Sequence, residues 1–137
     1  MTKSPKYWNN AKKYISKKDK VMSALIKKYK SPSEVILKSR KDVFYSLCKS
    51  IIGQQISVAA ANSVFLKFKK KCKNKINPKN VNKLTIAQLK SCGLSRLKAL
   101  GIKSLSKQIL NKSFNPKIIK NMNDEEAILY LSNLRQI

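Results

Sequence analysis

Ile51-Ile52-Gly53-Gln54-Gln55-Ile56-Ser57 is the stretch on which the reading of this chain turns. Upstream of it, from about Asp42, the residues Val43, Phe44, Leu47, Cys48, Ile51 and Ile52 recur at the three-to-four spacing of one helix face. Downstream, Ser57 can cap a second helix that carries Val58, Ala61, Val64, Phe65 and Phe68. The stretch is therefore a polar break between two apolar helices. Two neighbouring glutamines in such a break are not core packing. A flat, uncharged amide offers both a donor and an acceptor, and it can fill a gap in a base stack and hydrogen-bond an orphaned base. The plainer role is local: polar side chains at helix ends also satisfy exposed backbone groups.

Outward from the break the same period continues. Tyr7, Trp8, Ala11, Tyr14 and Ile15 form one stripe after Pro5, and Met22, Leu25, Ile26 and Tyr29 form another, ended by Ser31-Pro32-Ser33. Lys69-Lys70-Lys71 and the Asn/Lys-rich run to Asn82 are expected to be a solvated loop around Pro78. A short helix from Thr85 carries Ile86 and Leu89 and stops at Gly93. Ser95 can cap the next helix, with Ala99, Ile102, Leu105 and Ile109 on one face. Asn123 then caps a last helix whose Asp124, Glu125 and Glu126 suit the positive end of its dipole and whose Ile128, Leu131 and Leu134 point inward. No alternating strand pattern and no glycine-rich phosphate loop occurs. The expected fold class is all-α, a single helical domain over residues 1–137.

Composition narrows the partners. Lys and Arg number 31 against six acids, for a formal charge of +25, which a polyanion would relieve through counterion release. Only Arg40, Arg96 and Arg135 are arginines, and so lysine-heavy a bias also follows from AT-rich coding. Charge thus points to nucleic acid without specifying a sequence. Histidine is absent and Cys48, Cys72 and Cys92 make no CxxC pair, which leaves no set for zinc or haem and reads as reduced core thiols. No cofactor and no metal is expected. No apolar run is long enough to cross a bilayer, so a soluble, cytoplasmic, nucleoid-associated protein is expected.

Gly53-Gln54-Gln55-Ile56-Ser57-Val58-Ala59-Ala60-Ala61 resembles the helix-break motif of the DNA-3-methyladenine glycosylase II family, within the helix-hairpin-helix DNA glycosylase superfamily. Gly93-Leu94-Ser95-Arg96-Leu97-Lys98-Ala99 is similar to that family's second stretch, and Asn123 through Arg135 to the helix that feeds its hairpin. The resemblance spans almost the whole chain in the right order. It implies a helical bundle of that type and base-excision repair, in which an alkylated base is rotated out of duplex DNA and its N-glycosidic bond hydrolysed. The implied partner is double-stranded DNA with alkylated bases; oligomeric state is left open. Gln55 matches the position of the wedge that enters the vacated stack, with Gln54 and Ser57 beside it. Ser95, Arg96 and Lys98 are candidate phosphate contacts, although Ser95 is first a helix cap. Arg96 and Lys98 fall in a first turn, where cations oppose the dipole, and a phosphate would explain that placement. Tyr7, Trp8 and Tyr14 could stack on a flipped base, but a stripe at helical spacing reads first as core.

The family's catalytic Asp lies beyond a Gly-hydrophobic-Gly hairpin. This chain has only Gly53, Gly93 and Gly101, and it ends at Leu134-Arg135-Gln136-Ile137, where the hairpin is expected to begin. Asp19, Glu34 and Asp42 sit in turns or caps, and Asp124, Glu125 and Glu126 at a helix start. No catalytic residue is named. The expectation is an incomplete glycosylase whose last helix exposes Ile128, Leu131 or Leu134 surface. The alternative is a non-catalytic, strongly basic DNA-binding or damage-sensing protein.

Overall fold

A computed structural model describes residues 6–29 and 42–135, and among these every regular element is a helix. The Ser31-Pro32-Ser33 break, Pro5, Glu34 and Arg40 lie outside the described residues. The chain divides into two compact units, residues 1–39 and 40–137.

The first unit holds α1 (Trp8–Lys18) and α2 (Lys20–Lys28), packed on each other. Asp19 is the joint: its carboxylate accepts the Met22 N–H at 2.9 Å, capping α2 one residue after α1 ends. Neither helix has a buried residue, and Tyr14 is 66% exposed, so the aromatic stripe expected as core is not buried.

The second unit is built around α7 (Arg96–Leu110), which packs against α3 (Val43–Gly53), α5 (Pro78–Lys83) and α6 (Ile86–Lys90). Its Ala99 and Ile102 are fully buried and Leu105 nearly so, as the period predicts. α4 (Val58–Lys71) packs on α3 through Phe65 and Phe68, with Tyr45 meeting Phe65 edge-on at 5.3 Å. Val58, expected inward, is 78% exposed, because the first turn of α4 still belongs to the exposed break.

The run up to Asn82 is not a plain solvated loop. Ile76 and Val81 are buried, Asn77 caps α5 through the Asn80 N–H at 2.8 Å, and Pro78 occupies its first turn. A six-residue helix with one buried apolar anchor, Val81, is too short to show a period. A 3-10 turn, Ile118–Asn121, leads to α8 (Asp124–Ser132), which starts in a capping box between Asn123 and Glu126. Tyr130 ties α8 down: its ring stacks on buried Phe114 at 5.1 Å and its hydroxyl accepts the Asn115 N–H at 2.9 Å. On the same helix Ile128, expected inward, is 66% exposed and Leu129 is exposed beside it, while Leu131 is partly buried. Leu134, just past the helix, is buried, as its place on the inward stripe predicts, and the apolar surface expected on this helix is that of Ile128.

Candidate nucleic-acid interface

The break between α3 and α4 is a tight, exposed turn. Gln54 ends α3 in an extended conformation (ψ 130°), and Gln55 follows with φ +57°, the left-handed region that most side chains avoid. Ile56 and Ser57 are exposed, and Ser57 opens α4 by accepting the Ala60 N–H at 3.2 Å. The capping expected of Ser57 is therefore present. Gln55 itself is exposed, carried outward on strained backbone between two helix ends.

The second motif folds onto the first. Gly93 adopts φ +98°, and a Cβ there would stand 3.0 Å from the Cγ2 of Val64 on α4. Only glycine meets both conditions without strain. Ser95 then caps α7, its hydroxyl accepting the Lys98 N–H at 3.2 Å. One turn in, the Lys98 ammonium donates to the carbonyl of Ile52 at 2.9 Å and to that of Gln54 at 2.6 Å. These carbonyls sit at the C-terminus of α3, where backbone acceptors lack helical partners and the dipole is negative. Lys98 is thus misplaced with respect to its own helix and well placed with respect to α3.

Of the residues singled out, Gln54, Gln55, Ser57, Ser95 and Lys98 come together around this turn, and Arg96 stands exposed in the same first turn as Lys98. Two carbonyls at the break are met by Lys98, and one N–H of the first turn of α4 by Ser57. Sequence reasoning missed the role of Lys98, because carbonyl partners 44 and 46 residues away leave no periodic trace.

The described carboxylates sit at helix starts. Asp19 and Asp42 cap α2 and α3, and Glu126 accepts the Asn123 N–H at 3.0 Å. Asp124 and Glu125 stand exposed in the first turn of α8. The cysteines are buried and free, and burial pushes the thiols of all three upward, Cys72 to about 11. They are protonated and poor nucleophiles at neutral pH. Among the described residues no group of three or more Cys, Asp or Glu could hold a metal ion, and no helix is long and apolar enough to cross a membrane.

Comparison with known proteins places these features. Residues 48–136 match the HhH-GPD superfamily of base excision DNA repair proteins. The alkylbase DNA glycosidase-like protein mag2 of Schizosaccharomyces pombe is 29% identical over 141 residues, covering all of this chain and 65% of the relative. Among solved structures, the S. pombe 3-methyladenine DNA glycosylase Mag1 in complex with abasic DNA superposes with a TM-score of 0.81 at 21% identity. That match covers 93% of this chain and 64% of Mag1. The DNA-3-methyladenine glycosidase of Bacillus halodurans gives a TM-score of 0.69 at 20% identity, over 90% of this chain and 56% of that one. The chain shares their all-helical fold and spans somewhat under two thirds of their length.

Proposed function

Because this chain belongs to the HhH-GPD superfamily of base excision DNA repair proteins, we propose that it serves the repair of alkylated bases in duplex DNA. In this reading the Gln54–Gln55 turn enters the stack where a base has been rotated out. The observation that carries it is the backbone at Gln55: a non-glycine residue in the left-handed region, exposed, on a turn fixed between two capped helices. Strain of this kind persists where the surroundings over-determine it, and it gathers at sites that grip ligands. An amide held there can replace the lost base without introducing charge into the stack. The formal charge of +25 supplies the sequence-independent attraction to the phosphate backbone.

Base release is a separate matter. Hydrolysis of the glycosidic bond calls for a carboxylate beside the sugar, and the described acids of this chain are helix caps or lie in an exposed first turn. That arrangement favours a second reading, a damage-sensing DNA binder that releases no base. One experiment addresses both. The full chain is titrated against an intact duplex, an alkylated duplex and one with a stable abasic analogue, and free alkylpurine is assayed in parallel. The expected result is tighter binding to the damaged duplexes, by on the order of tenfold, largely lost in Gln55→Ala. Released alkylpurine assigns the glycosylase reading, and binding without release assigns the sensor. Equal affinity for intact and damaged duplex, with a steep salt dependence, overturns both in favour of a generic polyanion binder.

A further inference from the structure

Lys98 stands among the candidate phosphate contacts on the strength of its position in a first turn. Its geometry gives a different answer. The ammonium reaches two carbonyls at 2.9 and 2.6 Å, those of Ile52 and Gln54, which flank Gly53 at the end of α3. Pinning both oxygens with one cation fixes the backbone immediately before Gln55. Up to Ile52 the end of α3 is held by core packing, and at Gly53, where an added Cβ would meet nothing within 4 Å, the lysine contacts take over. The contact to the Gln54 carbonyl lies directly before the left-handed residue. Lys98 is half-buried, so these contacts are shielded from water. We infer that Lys98 is a positioning residue for the Gln54–Gln55 turn, directing two of its three N–H groups to the α3 carbonyls. This rests on the reading of Gln55 as the residue that enters the stack, and it links the two sequence motifs into one device. The motif on α7 supplies the clamp; the motif between α3 and α4 supplies the residue being aimed.

The two roles predict different signatures. A phosphate ligand contributes to affinity for any duplex, and its loss lowers the slope of log affinity against log salt by about one. A positioning residue leaves that slope unchanged and alters the preference for a duplex with a gap, where small misplacements have large effects. Lys98→Met keeps the apolar stem and removes the N–H donors. Lys98→Gln, a shorter side chain that retains an amide donor, serves in its place should the Met variant melt too low for assay. In the full chain, three quantities are read for wild type and variant: the salt slope on intact duplex, the affinity ratio between abasic-analogue and intact duplexes, and amide hydrogen exchange at Gly53 and Gln54, at the end of α3, without DNA.

The inference expects faster exchange at those amides, an unchanged salt slope, and a ratio reduced by on the order of tenfold. Unchanged exchange overturns it. So does a retained ratio, with or without a lower slope. If the wild type shows no preference for the abasic analogue, the wedge reading of Gln55 falls, and exchange alone decides whether Lys98 holds the turn.

Discussion

At the scale of the residue, Gln55 separates local stability from recognition. A side chain in the left-handed region costs about 1 kcal/mol, and glycine escapes that cost while losing some entropy of its own on folding. Gln55→Gly is therefore expected to leave stability unchanged or raise it by up to about 1 kcal/mol, while abolishing any preference for damaged duplex. Gln55→Val places a β-branched residue at φ +57° and is expected to destabilise by about 1–2 kcal/mol. Urea unfolding of both variants checks the pair. A loss of more than about 1 kcal/mol in Gln55→Gly would mean that the amide serves the fold rather than a ligand. The double glutamine was legible in the sequence as a polar interruption of two apolar helices. Its strain was not, since φ depends on how the two helix ends are clamped.

At the scale of the element, α7 organises the second unit by capping its neighbours. Lys98 serves the C-terminus of α3, and further along the helix Lys103 donates to the carbonyls of Asn82 and Leu84 at the end of α5. In so lysine-rich a chain these two cations are set apart by tertiary contacts that their spacing does not announce. The entry to α7 is constrained as well. Gly93→Ala combines a positive φ with a Cβ 3.0 Å from Val64, and is expected to cost about 2–3 kcal/mol, read as a lower melting temperature. Adding Val64→Ala in a double-mutant cycle relieves the steric part and leaves the conformational part. Full additivity of the two losses would show that the close approach is not what Gly93 provides. Caps were the best-read local feature: Ser57, Ser95 and Asn123 each accept the N–H that their position predicts. The short helix α5 escaped the same reasoning because one buried apolar residue, Val81, does not make a stripe.

At the scale of the whole molecule, the buried thiols set the alkaline limit of stability. Burial first, then the neighbouring Cys92, lifts Cys72 from the ordinary 9.0 to about 11, and burial raises Cys48 and Cys92 in the same direction. The folded chain keeps protons that the unfolded chain gives up, so this stability is complete below about pH 9 and is lost as pH rises through 11. Lys103 acts the other way, its value lowered by burial and then by the charge of Lys107, but one lysine opposes three thiols. The melting temperature is expected to fall between pH 9 and 11, and Cys72→Ala to flatten that fall; a flat profile in the wild type would contradict the assignment. The sequence by itself determined the helical class, the caps, the surplus of positive charge and the two motifs, because each depends on spacing within about four residues or on composition alone. Only the tertiary structure decided that Gln55 is held in the left-handed region, that Lys98 faces backbone carbonyls, and that Val58 and Ile128 are exposed while Val81 is buried. Those outcomes depend on which helix end meets which side chain across forty or more residues, and no periodic signal encodes such a meeting.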